Sequence, residues 1–171
     1  LKKSTPGHTV DPANPDDYRG IAAGNLTAKL FGLILLRRLT HWCASTNVLP
    51  PNQAGFMATH SAEHHVFTLL ETLRHRARRG KKTYALFLDL KKAYDSVHRG
   101  ALSHVLKTMG MPARFVDFII KWFNQRKSSV LVNGQRADPF PVAKGLPQGE
   151  ILAPDLFNLF ITPLQYYLDE L

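Results

Sequence analysis

The sequence lacks the features of a secreted or membrane-spanning protein. Cys43 is its one cysteine among 171 residues, so an internal disulfide is excluded. The longest apolar run, from Phe31 to Leu36, is far shorter than the roughly 20 residues that a spanning helix needs. Residues 1–9 have no apolar core of the signal-peptide kind. We therefore expect no membrane partner, and the compartment, nuclear or cytoplasmic, stays open.

Acidic residues are scarce relative to basic ones. The chain has 22 Lys and Arg against 13 Asp and Glu, a formal net charge of +9. An excess of this size favours a polyanionic partner, either a nucleic acid or an anionic surface. Hydrophobic residues make up 44% of the sequence, which is enough for a packed core and argues against disorder. The length predicts one domain or a large piece of one.

The hydrophobic periodicity predicts a mixed α+β fold, with helices between few strands. In the predicted helix over residues 25–44, a wide apolar face is expected to consist of Leu26, Leu30, Leu33 and Ile34. Asn133-Gly134 is a strong two-residue hairpin signal, and the prolines after it confine the return strand to a sheet edge. Predicted helices cover residues 25–44, 61–79, 99–109, 112–125 and 154–168, and predicted strands cover 83–89, 128–132 and 135–142.

The segment Leu86-Phe87-Leu88-Asp89-Leu90 predicts a buried, central strand that carries a carboxylate out at its end. A carboxylate beside a core needs a cation or a capping interaction. Mg²⁺ prefers such oxygens and usually takes one or two protein carboxylates, with phosphates and waters completing its shell. The alternative for Asp89 is a solvated carboxylate that caps the following turn.

The segment Lys144-Gly145-Leu146-Pro147-Gln148-Gly149 predicts a tight polar loop before an apolar helix. Its two glycines let the backbone approach a planar ligand closely. The amide of Gln148 offers both a hydrogen-bond donor and an acceptor. Taken alone, the segment is also compatible with an ordinary loop before a helix.

Together, Asp89-x-x-x-Ala93-Tyr94-Asp95 and the Gln148 segment resemble the first palm motif and the Gln-Gly loop of reverse transcriptases. The Tyr-Asp form resembles the non-LTR (LINE-like) retroelement subtype. The resemblance implies a right-hand polymerase fold, with a short antiparallel sheet backed by helices. It assigns residues 1–82 to the fingers and N-terminal palm helices, and residues 83–171 to a partial palm.

The resemblance also implies an activity: RNA-directed DNA synthesis, which adds deoxynucleotides to a DNA primer on an RNA template with two Mg²⁺ ions. Asp89 would bind the metal, assisted by the backbone carbonyl of Leu90. Tyr94 would lie under the sugar and exclude a 2′-hydroxyl, although a core aromatic is the alternative for it. Gln148 and Gly149 would lie over the incoming nucleotide.

Two N-terminal segments extend the resemblance. Lys3 and Arg19 match the fingers residues that grip the triphosphate, where Arg forks onto phosphate oxygens and Lys adds a point charge. Lys2 is an alternative to Lys3, and an unstructured basic terminus is an alternative to both. Gln53-Ala54-Gly55-Phe56 resembles the next family segment, but Met57 stands where Arg is usual, so a contact made by that arginine would be lost or moved.

A basic run follows the second predicted helix. We expect it to contact a nucleic-acid backbone through salt-dependent charge interactions. The alternative is a solvated helix end, where cations are favoured by the helix dipole. The run consists of Arg74, Arg76, Arg78, Arg79, Lys81 and Lys82.

The sequence contains no Tyr-x-Asp-Asp box. Tyr167-Leu168-Asp169-Glu170 is only superficially similar to that box and is predicted to be a solvated helix end. We therefore expect the rest of a parent polyprotein to supply the missing aspartates, and the isolated chain to be inactive. The alternative function is a catalytically dead remnant that still binds nucleic acid.

Overall fold

A computed structural model of the chain describes residues 11, 14, 17, 18, 20–57 and 60–170. Within these residues it contains six helices and two small two-stranded antiparallel sheets, in agreement with the predicted mixed α and β content. No helix in this part of the chain combines the length and apolarity needed to cross a membrane. The elements are α1 (Leu26–Thr46), α2 (Ala62–Arg78), α3 (Ala93–Ser96), α4 (Arg99–Thr108), α5 (Ala113–Asn124), β1 (Lys127–Ser128), β2 (Leu131–Val132), β3 (Gln135–Arg136), β4 (Phe140–Pro141) and α6 (Ala153–Asp169).

Local capping explains where the long helices begin and end. The side chain of Asn25 accepts a hydrogen bond from the Ala28 amide before α1, and Ser61 accepts one from His64 at the start of α2. Such caps satisfy amides that have no partner inside the helix. Gly80 and Gly110, both at positive φ, follow α2 and α4. The predicted helices are thus confirmed, with ends that differ by a few residues.

The core is built around α4, which packs against both α5 and α6. α1 contributes Leu35 and Leu39 to this core, and the loop before α6 contributes Leu146 and Leu152. Burying such side chains is worth roughly 1.5–3 kcal/mol each. The core residues with no exposed surface are Leu39, Val97, Leu102, Leu106, Val116, Ile119, Phe123, Leu146, Leu152, Leu156 and Leu159.

The predicted apolar face of α1 is wrong. Leu26, Leu30, Leu33 and Ile34 are each at least half exposed. The residues of α1 that are buried are Gly32, Leu35 and Leu39, which lie on the other side of the helix. A Cβ at Gly32 would lie 3.7 Å from the Ile151 side chain, at ordinary van der Waals distance, so α1 packs against the segment that precedes α6.

The predicted buried strand over residues 83–89 is also wrong. Residues 81–90 belong to neither sheet, and the apolar side chains in this segment are largely exposed, with Tyr84 at 89%, Leu86 at 83% and Phe87 at 79%. A strand needs a neighbour for its backbone hydrogen bonds. Among the described residues no strand lies beside this segment, because β1 pairs with β4 and β2 with β3.

The predicted hairpin turn is confirmed. β2 pairs antiparallel with β3 across Asn133 and Gly134, which both have positive φ, as a two-residue type I′ turn requires. The predicted return strand is interrupted near Pro139, and its second part, β4, pairs with β1 instead. The two short ribbons lead the chain from the end of α5 to the Gln148 segment.

Candidate functional site

A cleft of about 900 Å³ lies where segments distant in the sequence meet. One wall is residues 89–95, and the opposite wall is residues 148–151 with the start of α6. Tyr18, Gly20 and Phe56 close a third side. The cleft therefore brings together several residues selected from sequence, namely Asp89, Leu90, Tyr94, Gln148 and Gly149.

Backbone contacts join the two sequence motifs directly. The Leu146 amide donates to the Tyr94 carbonyl and the Gly145 amide donates to the Val97 carbonyl, each at 2.9 Å. Gly145 has φ +84°, and a Cβ added there would lie 3.0 Å from the Asp95 carbonyl oxygen. Glycine is therefore required at 145, both by its backbone conformation and by the close approach of α3.

A second close approach fixes the opposite side of the loop. The Ala22 amide donates to the Gln148 carbonyl at 2.7 Å. Gly149 has φ +96°, and a Cβ there would lie 2.7 Å from the Ala22 carbonyl oxygen, which is closer than real Cβ contacts allow. The Gln148–Gly149 backbone therefore lies against the chain segment that precedes α1.

Tyr94 is half-buried, and its ring packs against Phe157 of α6 with centroids 5.0 Å apart. Burial raises the pKa of the Tyr94 hydroxyl, and the nearby Asp155 carboxyl raises it further. The phenol is therefore a neutral donor at physiological pH. Phe157 supports the ring from the side of α6, so the position of Tyr94 depends on both motifs.

Asp89 is the cleft carboxylate that suits a metal. It is exposed, and its side chain has no hydrogen-bond or ion-pair partner in the described part of the chain. Residues described by the structure contain no group of three or more His, Cys, Asp or Glu able to hold a metal ion. Mg²⁺, however, is often bound by a single carboxylate together with substrate phosphates and waters. Asp89 and the Leu90 carbonyl therefore fit a Mg²⁺ site that a triphosphate helps to complete.

Arg99, which the sequence analysis did not select, is a buried arginine behind the cleft. Its side chain donates to the carbonyls of Val142 and Gly145 at 2.7 and 3.0 Å, and to Phe123 and Asn124 at the end of α5. Burial, and then the nearby Arg126, lower the pKa of Arg99. The sequence holds one signal for the role of Arg99. A cation in the first turn of a helix is unfavourable with the helix dipole, so it needs other interaction partners.

An ion pair between Arg126 and Glu150 lies on the same side of the loop. The side chains are 24% and 7% exposed, so the pair is largely shielded from water. The Arg126 guanidinium also lies over the Trp122 ring, 5.3 Å from its centroid. Nothing in the local sequence pattern identifies Arg126 as the partner of Glu150.

Asn158 of α6 connects the core to the Gly55–Phe56 turn. Its amide nitrogen donates to the Gly55 carbonyl at 2.7 Å, and its oxygen accepts from Gln53 Nε2 at 2.8 Å. Asn158 is 4% exposed, so these are buried hydrogen bonds. They hold Phe56, at φ +57°, where it lines the cleft. Met57, next in the chain, is half-buried.

Other predicted site residues lie elsewhere. Lys3 and Arg19 are outside the described residues. The basic run does not line the cleft; it lies at the exposed end of α2, where Arg74 pairs with Glu71 and Arg76 donates to Lys82 and Thr83. The other four cations, Arg78, Arg79, Lys81 and Lys82, are exposed. Asp169 and Glu170 lie exposed at the end of α6, as predicted.

Residues 1–170 match the protein family described as Reverse transcriptase (RNA-dependent DNA polymerase). The chain belongs to this family. The match spans both walls of the cleft, and it confirms the assignment made from the Asp89 and Gln148 motifs.

Relatives among curated proteins are retrotransposon polymerases. The chain is 30% identical, over 91% of its length, to the Retrovirus-related Pol polyprotein from type-2 retrotransposable element R2DM of Drosophila melanogaster. It is 28% identical, over 88% of its length, to the Probable RNA-directed DNA polymerase from transposon BS of the same species. It is 30% identical, over 87% of its length, to the RNA-directed DNA polymerase from mobile element jockey of Drosophila funebris.

The chain covers only part of each of these proteins. The aligned region is 14% of the R2DM polyprotein, 17% of the transposon BS protein and 16% of the jockey protein. The similarity confirms a reverse transcriptase domain of the non-LTR retroelement type. It also agrees with the prediction that such a domain occurs within a larger polyprotein.

Proposed function

We propose that the cleft binds a deoxynucleoside triphosphate for RNA-directed DNA synthesis in a retroelement polyprotein. The observation that carries this proposal is the meeting of Asp89, Tyr94 and Gln148 in one cleft. Membership of the reverse transcriptase family supports it. The partners are then an RNA template, a DNA primer and the rest of the polyprotein, and the domain is the fingers and partial palm of a right-hand polymerase, divided near residue 82.

In this proposal the Asp89 carboxylate and the Leu90 carbonyl would hold Mg²⁺. The metal, when bound, would offset the charge of the phosphates and lower the pKa of the attacking primer hydroxyl. The exposed, unpartnered carboxylate of Asp89 supports this role, because it needs no rearrangement of existing bonds to accept a ligand. Lys91 and Lys92 also line the cleft and add positive charge near the phosphates.

Tyr94 and Gln148 define where the nucleoside would lie. Tyr94, supported by Phe157, forms a rigid surface under the sugar that leaves no room for a 2′-hydroxyl. Gln148 offers its amide to the nucleotide, and Gly149 lets the loop that carries it lie against Ala22. Lys3 and Arg19 are proposed to grip the triphosphate.

Nucleotide binding to the chain itself tests this proposal. Isothermal titration calorimetry with a deoxynucleoside triphosphate should show binding that Mg²⁺ strengthens. Asp89→Asn should reduce this Mg²⁺-dependent increase in affinity by about tenfold or more. Asp138→Asn, at an exposed position outside the cleft, is the matched control and should bind like the unsubstituted chain. Binding that is indifferent to Mg²⁺, or equal in both variants, would refute the assignment of Asp89.

Primer extension tests the catalytic role. In a longer protein that contains this domain and extends primers, Asp89→Ala should abolish extension while circular dichroism stays unchanged. Normal extension by that variant would contradict the assignment. The isolated chain is expected not to extend a primer, since its sequence holds no Tyr-x-Asp-Asp box; Mg²⁺-dependent incorporation by the chain alone would overturn that expectation.

A second candidate is a nucleic-acid-binding domain without catalysis. The exposed cations at the end of α2 favour it, together with Met57 in place of the usual arginine. Binding of an RNA–DNA duplex should then weaken steeply with salt, and Arg78→Gln with Lys82→Gln should lower the salt slope by about 1 each. Arg114→Gln, an exposed cation on α5, is the control. Binding that does not respond to salt would count against this candidate.

A further inference from the structure

The loop over residues 142–150, here called the Gln148 loop, is held at both ends by arginines that do not themselves line the cleft. Arg99 donates to the Val142 and Gly145 carbonyls at the first end. Arg126 pairs with Glu150 at the second end. Gln148 lies between these two attachments and faces the cleft.

Both arginines also attach the loop to the same support. Arg99 donates to the Phe123 carbonyl and the Asn124 side chain at the end of α5, where the unpaired carbonyls of a helix favour a cation. Arg126 follows α5 closely and lies over the Trp122 ring. The end of α5 is therefore the fixed element, and the two guanidiniums transmit its position to the loop.

The Glu150 side chain is more buried than a carboxylate in a surface ion pair. Its side chain is 7% exposed, and the backbone of α1 covers it, since a Cβ at Gly32 would lie 3.6 Å from Glu150 Oε1. Its one ion-pair partner among the described residues is Arg126. A buried carboxylate left without its partner is costly, which ties the end of the loop to Arg126.

We propose that Arg99 and the Arg126–Glu150 pair are positioning residues, which set the Gln148 loop against Ala22 and thereby determine how tightly the cleft binds the nucleotide. This inference rests on the proposed function of the cleft. Arg99 and Arg126 lie outside the cleft lining, whereas Glu150 is part of it, so the two arginines act on the nucleotide only through the backbone to which Gln148 belongs. Their effect is then on affinity, through the geometry of residues 148 and 149.

The position of the loop can be measured without a nucleotide. The Ala22 amide donates to the Gln148 carbonyl, so its hydrogen exchange, followed by NMR, reports the contact that the attachments maintain. Glu150→Gln, which keeps the shape and removes the charge, should speed this exchange about tenfold. Asp117→Asn is the matched control, since it removes the exposed Lys107–Asp117 ion pair on α4 and α5 and should leave the exchange unchanged.

Graded variants separate positioning from a general loss of stability. Arg126→Lys keeps the charge and should retain most of the exchange protection, whereas Arg126→Gln should lose it. Arg99→Lys keeps a charge but cannot reach all of its acceptors, so protection should fall at Ala22 and at Leu146. If Arg99→Lys does not fold, Glu150→Gln and Arg126→Gln still decide the question. Exchange at Ala22 that is the same in these two variants and in the control would overturn the inference.

Nucleotide titration completes the test. Glu150→Gln and Arg126→Gln should weaken binding about tenfold, while Asp117→Asn stays within about twofold. If the unsubstituted chain binds no nucleotide, the proposed function fails, and the exchange data alone decide whether the arginines position the loop. If nucleotide affinity is unchanged although Ala22 exchange has become fast, the attachments stabilise the fold and do not control binding. That result would overturn the inference that they determine nucleotide affinity.

Discussion

The two walls of the cleft differ in how they are held. The wall of residues 145–152 is joined to the core by Leu146 and Leu152, both fully buried, and by the buried Arg99. The wall that carries Asp89 begins within residues 81–90, whose side chains are exposed and which belong to neither sheet. The difference shows that the Gln148 loop is positioned by packing, whereas the proposed metal ligand depends on an exposed segment.

The largest change in the free energy of unfolding is expected when apolar side chains are removed from each region. Leu106→Ala, at a fully buried position of α4, should lower the free energy of unfolding by about 3 kcal/mol, because it leaves a cavity in the core. Leu86→Ala, at a position 83% exposed, should change it by less than about 0.5 kcal/mol. Urea denaturation measures both. Equal losses would mean that residues 81–90 are packed in solution, and the comparison would fail.

Glycine substitutions test how the first wall is attached. Gly145 and Gly134 have similar φ, +84° and +80°, but a Cβ would meet the Asp95 backbone only at Gly145. Gly134→Ala should cost about 1 kcal/mol through backbone conformation alone. Gly145→Ala should cost about 3 kcal/mol, because α3 must also move. Equal unfolding midpoints in urea for the two variants would show that the contact between Gly145 and α3 contributes nothing.

Substitutions of Asn158 and Asn52 should differ less in their effect on the free energy of unfolding. Asn158→Ala removes two hydrogen bonds made by a buried side chain, at a cost of about 2 kcal/mol. Asn52→Ala removes one long, exposed hydrogen bond to Asp169 and should cost less than about 0.5 kcal/mol. Thermal unfolding followed by circular dichroism compares the two variants. A small effect of Asn158→Ala would show that the Phe56 side of the cleft is held by other contacts.

The smallest expected effect is a pH dependence from Asp155, which lies behind Tyr94. Burial raises the pKa of Asp155 above its ordinary value of 3.8, against the opposing effect of a backbone hydrogen bond. A carboxyl with a raised folded-state pKa contributes stability below pH 3.8, and that contribution is lost as the pH rises through the folded-state pKa. Asp155→Asn should therefore stabilise the protein modestly at pH 7.

Unfolding midpoints in urea at pH 4 and pH 7 measure this effect. The unsubstituted chain should lose stability between the two values through Asp155, and Asp155→Asn should lose less. Asp138→Asn, at an exposed position, should keep the slope of the unsubstituted chain. If the urea midpoint changed equally with pH in all three proteins, Asp155 would be solvated and its pKa would not be raised.

Features that depend on short stretches of sequence could be predicted. The starts of α1 and α2, near residues 25 and 61, and the turn at Asn133-Gly134 depend on a few neighbouring residues, so the sequence predicts them without knowledge of the fold. The Asp89 and Gln148 motifs led to the correct family for a related reason, since each is a compact pattern. The roles given to their side chains stay predictions until binding and extension are measured.

Features that depend on tertiary neighbours could not be predicted. α1 is apolar on several sides, so the choice of Leu35 and Leu39 for the core is made by tertiary packing and not by the spacing of its leucines. Residues 83–89 have the composition of a strand, but pairing needs a neighbour that the pattern cannot supply. Arg99 was missed because its four hydrogen-bond acceptors come from segments far along the chain.

The hydrogen bond from Ala22 to Gln148 has a consequence for the order of folding. It joins two residues that are separated by most of the sequence, so its formation closes a very large loop and carries a high entropic cost. During synthesis Ala22 leaves the ribosome long before Gln148 exists, and helices α1 to α5 can form in the interval. The cleft is consequently among the last parts of the domain to assemble, and a chain interrupted before Gln148 cannot present it.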